Sequence, residues 1–265
     1  MRNLIFILIS IFFFSCNNEK REEKKAALKM DSRDQIGIDI NDGHGVIDFD
    51  LVKEDPNYKV TFVLTRLTMG KNRNDIVSMF NFNGARKSGM QVGAYHFFDL
   101  KEDGIIQATN YLNILSSVKS DFPPVVDIEI FKKHIEKQYV TVNKKVPKKG
   151  KKGFVNQKTK LVKYVTHPTV AEVNVAITEL KRFLNIVEKK TGQKVMIYSS
   201  LDFFNQYLKD FNNPRWVAAV TRPTPEIKGV IHQFSQSLHI KGIKGYVDGN
   251  RFVDPPKETL DSLSN

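Results

Sequence analysis

The chain has 265 residues, 41% of them hydrophobic, which is enough to bury one large core or two small ones and excludes wholesale disorder. Forty-one Lys and Arg against 29 Asp and Glu leave a net charge of +12, so anionic lipid, cell-wall polymer and nucleic acid all enter as partners and charge does not choose among them. A single Cys excludes a disulfide framework and any multi-cysteine metal centre.

Residues 1–15 read as an export signal. Arg2 precedes an apolar run from Leu4 to Phe14 that only Ser10 interrupts, and at about 11 residues the run falls short of the ~20 that a membrane-crossing helix needs. Phe13-Phe14-Ser15-Cys16 is similar to the cleavage box of bacterial lipoprotein signals, so Cys16 is the expected lipidation site and membrane anchor. An ordinary secretory signal and a buried thiol are the alternatives. Residues 16–34, with Glu19, Lys20, Arg21, Glu22, Glu23, Lys24 and Lys25 in one polar run, carry no apolar periodicity and are expected to form a charged tether. The folded domain is expected over residues 35–265, in a protein exported to the cell envelope.

From Gln35 onward, short apolar runs alternate with helical spacing. Strands are predicted at Ile36–Ile40, Tyr58–Thr65, Val92–Phe98, Pro124–Ile130, Lys194–Ser199, Trp216–Val220, Gly229–Phe234 and Gly245–Val247. Helices are predicted at Asp75–Ser88, Ile105–Lys119 and Val170–Thr191. Strands this rich in Val, Ile and Phe are covered on both faces, so the alternation predicts an α/β barrel. The last three strands leave little room for helices, which makes its second half irregular.

One stretch breaks the rhythm. From Lys132 to Lys163 there are twelve Lys and one acid, Glu136, nearly the whole net charge. Alternating residues on either side of Pro147-Lys148-Lys149-Gly150 predict a β-hairpin inserted at residues 132–165. It is either a solvated arm whose lysines guard its edges or a surface for an anionic polymer or lipid. Specific nucleic-acid recognition is not expected, because only Tyr139, Phe154 and Tyr164 are available to stack on bases.

The chemistry concentrates in Pro124-Val125-Val126-Asp127-Ile128-Glu129. Alternate residues of a strand share a face, so Asp127 and Glu129 lie about 6.6 Å apart along it and reach the same cleft. Val125 points into the barrel, while Val126 and Ile128 point to the helices. Carboxylates at the carboxyl end of a barrel strand stand where such folds keep their chemistry; a structural salt bridge is the alternative, although the motif holds no basic residue. Asp39 ends the first strand and Asp248 the last, and barrel closure makes those strands neighbours. Four convergent acids raise one another's pKa, as a general acid working near neutrality needs, while a remaining negative charge suits an oxocarbenium-like transition state. No His-rich or Asp-rich ligand spacing accompanies them, so no metal is expected.

Taken in order, Gly37-Ile38-Asp39-Ile40, Val92-Gly93-Ala94-Tyr95-His96-Phe97-Phe98, the Asp127–Glu129 block, Ile197-Tyr198-Ser199, Gln233-Phe234-Ser235 and Gly242-Ile243-Lys244-Gly245-Tyr246-Val247-Asp248 resemble glycoside hydrolase family 25, the peptidoglycan-cutting lysozymes. The resemblance implies an irregular, flattened TIM-like β/α barrel without a cofactor. The implied reaction is N-acetylmuramidase cleavage of the β-1,4 bond between N-acetylmuramic acid and N-acetylglucosamine. By that resemblance Glu129 matches the general acid and Asp127 its partner, proposed to assist attack by the sugar's 2-acetamido group, with Asp39 and Asp248 lining the same cleft. Tyr95, Phe97, Tyr198 and Gln233 are the expected substrate contacts, with core packing the alternative for Phe97. His96 faces the other way and reads as a structural histidine; Trp216 is either core or cleft wall. Members commonly carry a Gln-Gly turn where this chain has His44-Gly45, and an acid where it has Met69. The competing expectation is a wall-binding lipoprotein whose barrel no longer cuts.

Overall fold

The computed structural model describes residues 34–130, 134–147, 154–224 and 227–253. The export signal, Cys16 and the tether up to Arg33 lie outside the described residues, as do Lys132, Lys133, Lys148, Lys149, Lys151 and Lys152 of the basic stretch. In chain order the strands are β1 (Asp34–Ile40), β2 (Tyr58–Met69), β3 (Arg73–Asn74), β4 (Gln91–Phe97), β5 (Val125–Asp127), β6 (His134–Pro147), β7 (Phe154–His167), β8 (Met196–Ser200), β9 (Arg215–Ala218), β10 (Ile231–Leu238) and β11 (Val247–Phe252). The helices are α1 (Phe49–Lys53), α2 (Ser78–Lys87), α3 (Gly104–Leu115), α4 (Val170–Thr191) and α5 (Leu201–Tyr207).

Among the described residues, eight strands close a barrel in the order β1-β2-β4-β5-β8-β9-β10-β11, and β11 returns to β1. Neighbours are parallel except at β11, which runs antiparallel to both β10 and β1. The short β3 pairs only with the end of β2. β6 and β7 pair with each other alone, through fourteen consecutive residue pairs.

Strand parity decides which side chains fill the barrel. Phe62, Leu64, Tyr95, Val125, Met196, Tyr198, Trp216 and Ile231 pack inside, while Val126, Ile128, Ile197 and Val217 face outward onto α3, α4 and α5. Gly37 is required here, because a Cβ on it would lie 2.1 Å from the Phe62 ring. The chain omits a side chain on β1 so that an aromatic ring on β2 can fill the interior. Helix α4 repeats Val173, Ala176, Leu180, Phe183, Leu184 and Val187 on its buried face, a helical period directed at the sheet. Thr169 and Glu172 form a capping box at its start and Gly192, at φ 72°, ends it, which satisfies backbone groups that the helix itself cannot pair.

Several predicted boundaries shift, each for a physical reason. Asp34, assigned to the tether, is the first residue of β1. The strand expected over Pro124–Ile130 is only Val125–Asp127; Pro124, with no N–H for the ladder, falls outside its start. Glu129 therefore stands just beyond the strand end. The last strand begins where it was expected to stop: Gly245, at φ 84°, turns the chain, and β11 runs from Val247 to Phe252.

Candidate active site

Antiparallel β11 presents its beginning where the parallel strands present their ends. Asp39 and Asp248 are thus direct cross-strand partners, although one lies near the end of its strand and the other near the start. Asp127 closes β5, beside Phe97 on β4 and Tyr198 on β8. These elements enclose a hollow of about 150 Å³ lined by all four acids and by Asn41, Arg66, Tyr95, Phe97, Tyr198, Trp216 and Gln236. A larger hollow of about 580 Å³ lies between residues 46–50 and α2, but its Asp48 carboxylate is occupied capping α1.

Asp39 and Asp248 are held by neutral amide donors. The Gln233 side-chain amide donates to Asp39 Oδ2 and to Asp248 Oδ2, both at 3.1 Å, and its oxygen accepts from the Tyr198 hydroxyl at 3.0 Å. Asn250 Nδ2 donates to Asp39 Oδ2 at 2.8 Å, while its oxygen accepts from Trp216 Nε1 at 2.7 Å. The indole lies 4.5 Å from the Tyr198 ring, centroid to centroid, and meets Tyr95 edge-on at 6.0 Å. One chain of bonds therefore fixes two carboxylates, two amides, a phenol and an indole in a single arrangement.

Burial governs the protonation of the cluster. It lifts Asp39 to about 6, with the Asn250 and Gln233 hydrogen bonds pulling the other way. It lifts Glu129 to about 7, opposed by a hydrogen bond with Asp127 and helped by the charge of Asp248. Asp248 rises to about 7 through burial and the charge of Asp39, with His44 opposing. Asp127, the deepest of the four, is pushed well up by burial and then by the charges of Glu129 and Asp39. The Asp127–Glu129 pair consequently shares a proton near neutrality, and Glu129, half-open to the hollow, is the member able to deliver it. Asp127 Oδ1 is buried and meets no hydrogen-bond donor among the described residues, so its desolvation is not offset by a donor.

Sequence reasoning brought Asp39, Asp127, Glu129, Asp248, Tyr95, Phe97 and Tyr198 to one place, and the structure lines one hollow with them. Gln233, the fourth expected substrate contact, is fully buried and bridges Asp39 and Asp248. His96 is fully buried as well, bonded to Thr68 Oγ1 at 2.7 Å and Gln107 Oε1 at 3.3 Å and stacked on Phe183; burial lowers it to about 3 and keeps it neutral. Trp216 is both core and wall.

A cation stands beside the acids as well. Arg66 lines the hollow, its Nε held at 3.0 Å by both oxygens of buried Asp75 and its Nη2 by Asp42 at 2.7 Å. Its charge lowers Asp127 against the other influences. Arg66 has the same strand parity as Phe62 and Leu64, which fill the barrel, and Asn250 has that of Asp248. Those parities were the available signals for both.

The sequence profile described as glycosyl hydrolases family 25 matches residues 38–243. An Escherichia coli K12 protein, YegX, which carries no described function, is 27% identical over 257 residues, covering 90% of this chain and 81% of that protein. The autolytic lysozyme of Clostridium acetobutylicum is 24% identical over 224 residues, covering 82% of this chain and 56% of that protein. The structure of a family 25 glycosyl hydrolase from Bacillus anthracis superposes with a TM-score of 0.62 at 25% identity, covering 88% of this chain and 94% of that one.

Proposed function

The chain belongs to glycosyl hydrolase family 25, and from that premise we propose that it is a peptidoglycan N-acetylmuramidase, cutting the β-1,4 bond from N-acetylmuramic acid to N-acetylglucosamine. The observation that carries this reading is the gathering of four carboxyls in one hollow, with Glu129 raised to about 7. A carboxyl still partly protonated at neutral pH can protonate the departing glycosidic oxygen. The Asp127 carboxylate, which lines the hollow, accepts the N–H of the sugar's 2-acetamido group and turns its carbonyl oxygen toward C1. That oxygen forms the new bond to C1 as the old one breaks, and water then opens the ring so formed with Glu129 taking back a proton. Asp39, at about 6, is largely ionised at neutral pH, and its charge offsets the positive charge that develops on the sugar.

An enzyme of this class works outside the cytoplasm, and an export signal over residues 1–15, followed by lipidation of Cys16, accounts for its delivery there as a membrane-anchored lipoprotein of the envelope. The inserted Lys-rich arm gives the TIM-like barrel a cationic surface besides the acidic hollow. Mass spectrometry of digested peptidoglycan tests the activity: products with muramic acid at the reducing end are expected, and none with Glu129→Gln. Retention by peptidoglycan without release of reducing ends would identify a binder instead. Incorporation of labelled fatty acid that disappears in Cys16→Ala tests the anchor.

A further inference from the structure

The β6–β7 ribbon takes no part in the barrel or in the acidic hollow. Fourteen residue pairs make it about 45 Å long, and among the described residues it pairs with no third strand. Cross-strand partners share a face, and the register Asn143↔Lys158, Thr141↔Lys160 and Lys145↔Asn156 puts Lys137, Lys145, Lys158 and Lys160 together on one side. All four are exposed, and no acid shares that face among the described residues. Lys158 and Lys160 are about 6.6 Å apart along their strand, and Lys145 sits diagonally across from Lys158, at about 7–8 Å. Like charges so placed repel within a two-stranded ribbon that is marginally stable by itself. An anionic surface laid against them converts that repulsion into attraction.

The same face carries large apolar groups in water. Tyr139 is 64% exposed, Phe154 66% and Val162 44%, and Lys137 Nζ lies 5.6 Å from the centre of the Tyr139 ring. A phosphate or carboxylate polymer satisfies lysines but does nothing for Phe154 and Val162. A bilayer satisfies both sets: headgroup phosphates meet the lysine ammoniums, while aromatic and aliphatic tips enter the boundary between headgroups and acyl chains. We infer that the Lys137–Tyr139–Lys145–Phe154–Lys158–Lys160 face of the β6–β7 arm docks on an anionic phospholipid bilayer, independently of the glycan-cutting site.

The test uses the full-length chain with vesicles of phosphatidylcholine, with or without phosphatidylglycerol, at low and high salt. Each surface lysine contributes about fivefold to binding an anionic bilayer, so Lys145, Lys158 and Lys160 together contribute about a hundredfold. The expected result is a preference of at least that size for phosphatidylglycerol vesicles, since Lys137 adds to it, collapsing at high salt. It should be lost in the triple variant K145E/K158E/K160E, kept in K145R/K158R/K160R and weakened in Y139S/F154S. Hydrolysis of short glycan fragments should be unchanged in all of them, which separates failure of the docking inference from failure of the muramidase reading. Equal preference in the wild-type chain and the triple glutamate variant overturns the inference. Salt-sensitive retention on isolated wall polymer without any vesicle preference also overturns it and assigns the arm to that polymer.

Discussion

Glu129→Gln should stop glycan cleavage and, at pH 8, make the fold stronger. Burial raises the carboxyl from 4.5 to about 7, so above neutrality the folded chain carries a charge that its surroundings resist, whereas the unfolded chain carries it freely. Moving an ionisation over that interval costs at most about 3 kcal/mol once both states are ionised. Glu129 is partly open to solvent and shares a proton with Asp127, which screens and divides the cost, leaving about 1–2 kcal/mol for the neutral amide to recover. The folded-state pKa is the higher one, so the native chain holds the proton more tightly. The penalty is therefore absent below about 4.5, grows as pH rises toward about 7 and is complete above it. In a domain of this size the gain corresponds to a melting midpoint higher by roughly 2–8 °C. Urea unfolding followed by fluorescence of Trp216, the single, buried Trp, measures it at about pH 8 and about pH 4. No gain at the higher pH refutes the reasoning. An equal gain at both would refute it too, because the effect would then come from packing and not from charge.

The pH profile should follow from the same carboxyl: kcat/KM falls as pH rises through about 7, as assays on soluble glycan fragments would register, and a rate still climbing near pH 9 would contradict Glu129 as the acid. Gln233→Leu removes the donors to Asp39 and Asp248 and the acceptor of Tyr198. It should cost about 2–4 kcal/mol in thermal melts and lower kcat about tenfold, with KM changed less, in steady-state kinetics. Arg66→Met leaves the buried Asp75 carboxylate without its guanidinium and should destabilise the chain by about 3–5 kcal/mol in urea titrations; an unchanged midpoint would show that the pair is dispensable. His96, lowered to about 3 by burial, should show constant ring chemical shifts by NMR between about pH 5 and about pH 8, and a titration step near its ordinary 6.5 would mean that water reaches it.

Much of the molecule was legible in the order of its residues. Val, Ile and Phe runs separated by helical spacing announced the barrel strands, because a strand covered on both faces has no other economical composition. Parity within Asp127-Ile128-Glu129 placed two carboxyls on one side, because side-chain direction alternates with every residue. Asp39 and Asp248 could be brought together once the first and last strands were taken as neighbours.

What the sequence determined by itself was local: which residues alternate along a strand and which recur at helical spacing. Tertiary structure decided the direction of β11, and with it that Asp248 meets Asp39 from the beginning of a strand instead of its end. It also decided that Gln233 stands behind the acids and that Arg66 stands among them. Those outcomes depend on contacts between segments nearly two hundred residues apart, as in the Gln233–Asp39 bond. Periodicity records the face on which a side chain lies; only closure of the barrel sets what lies across from it and how far burial shifts its charge.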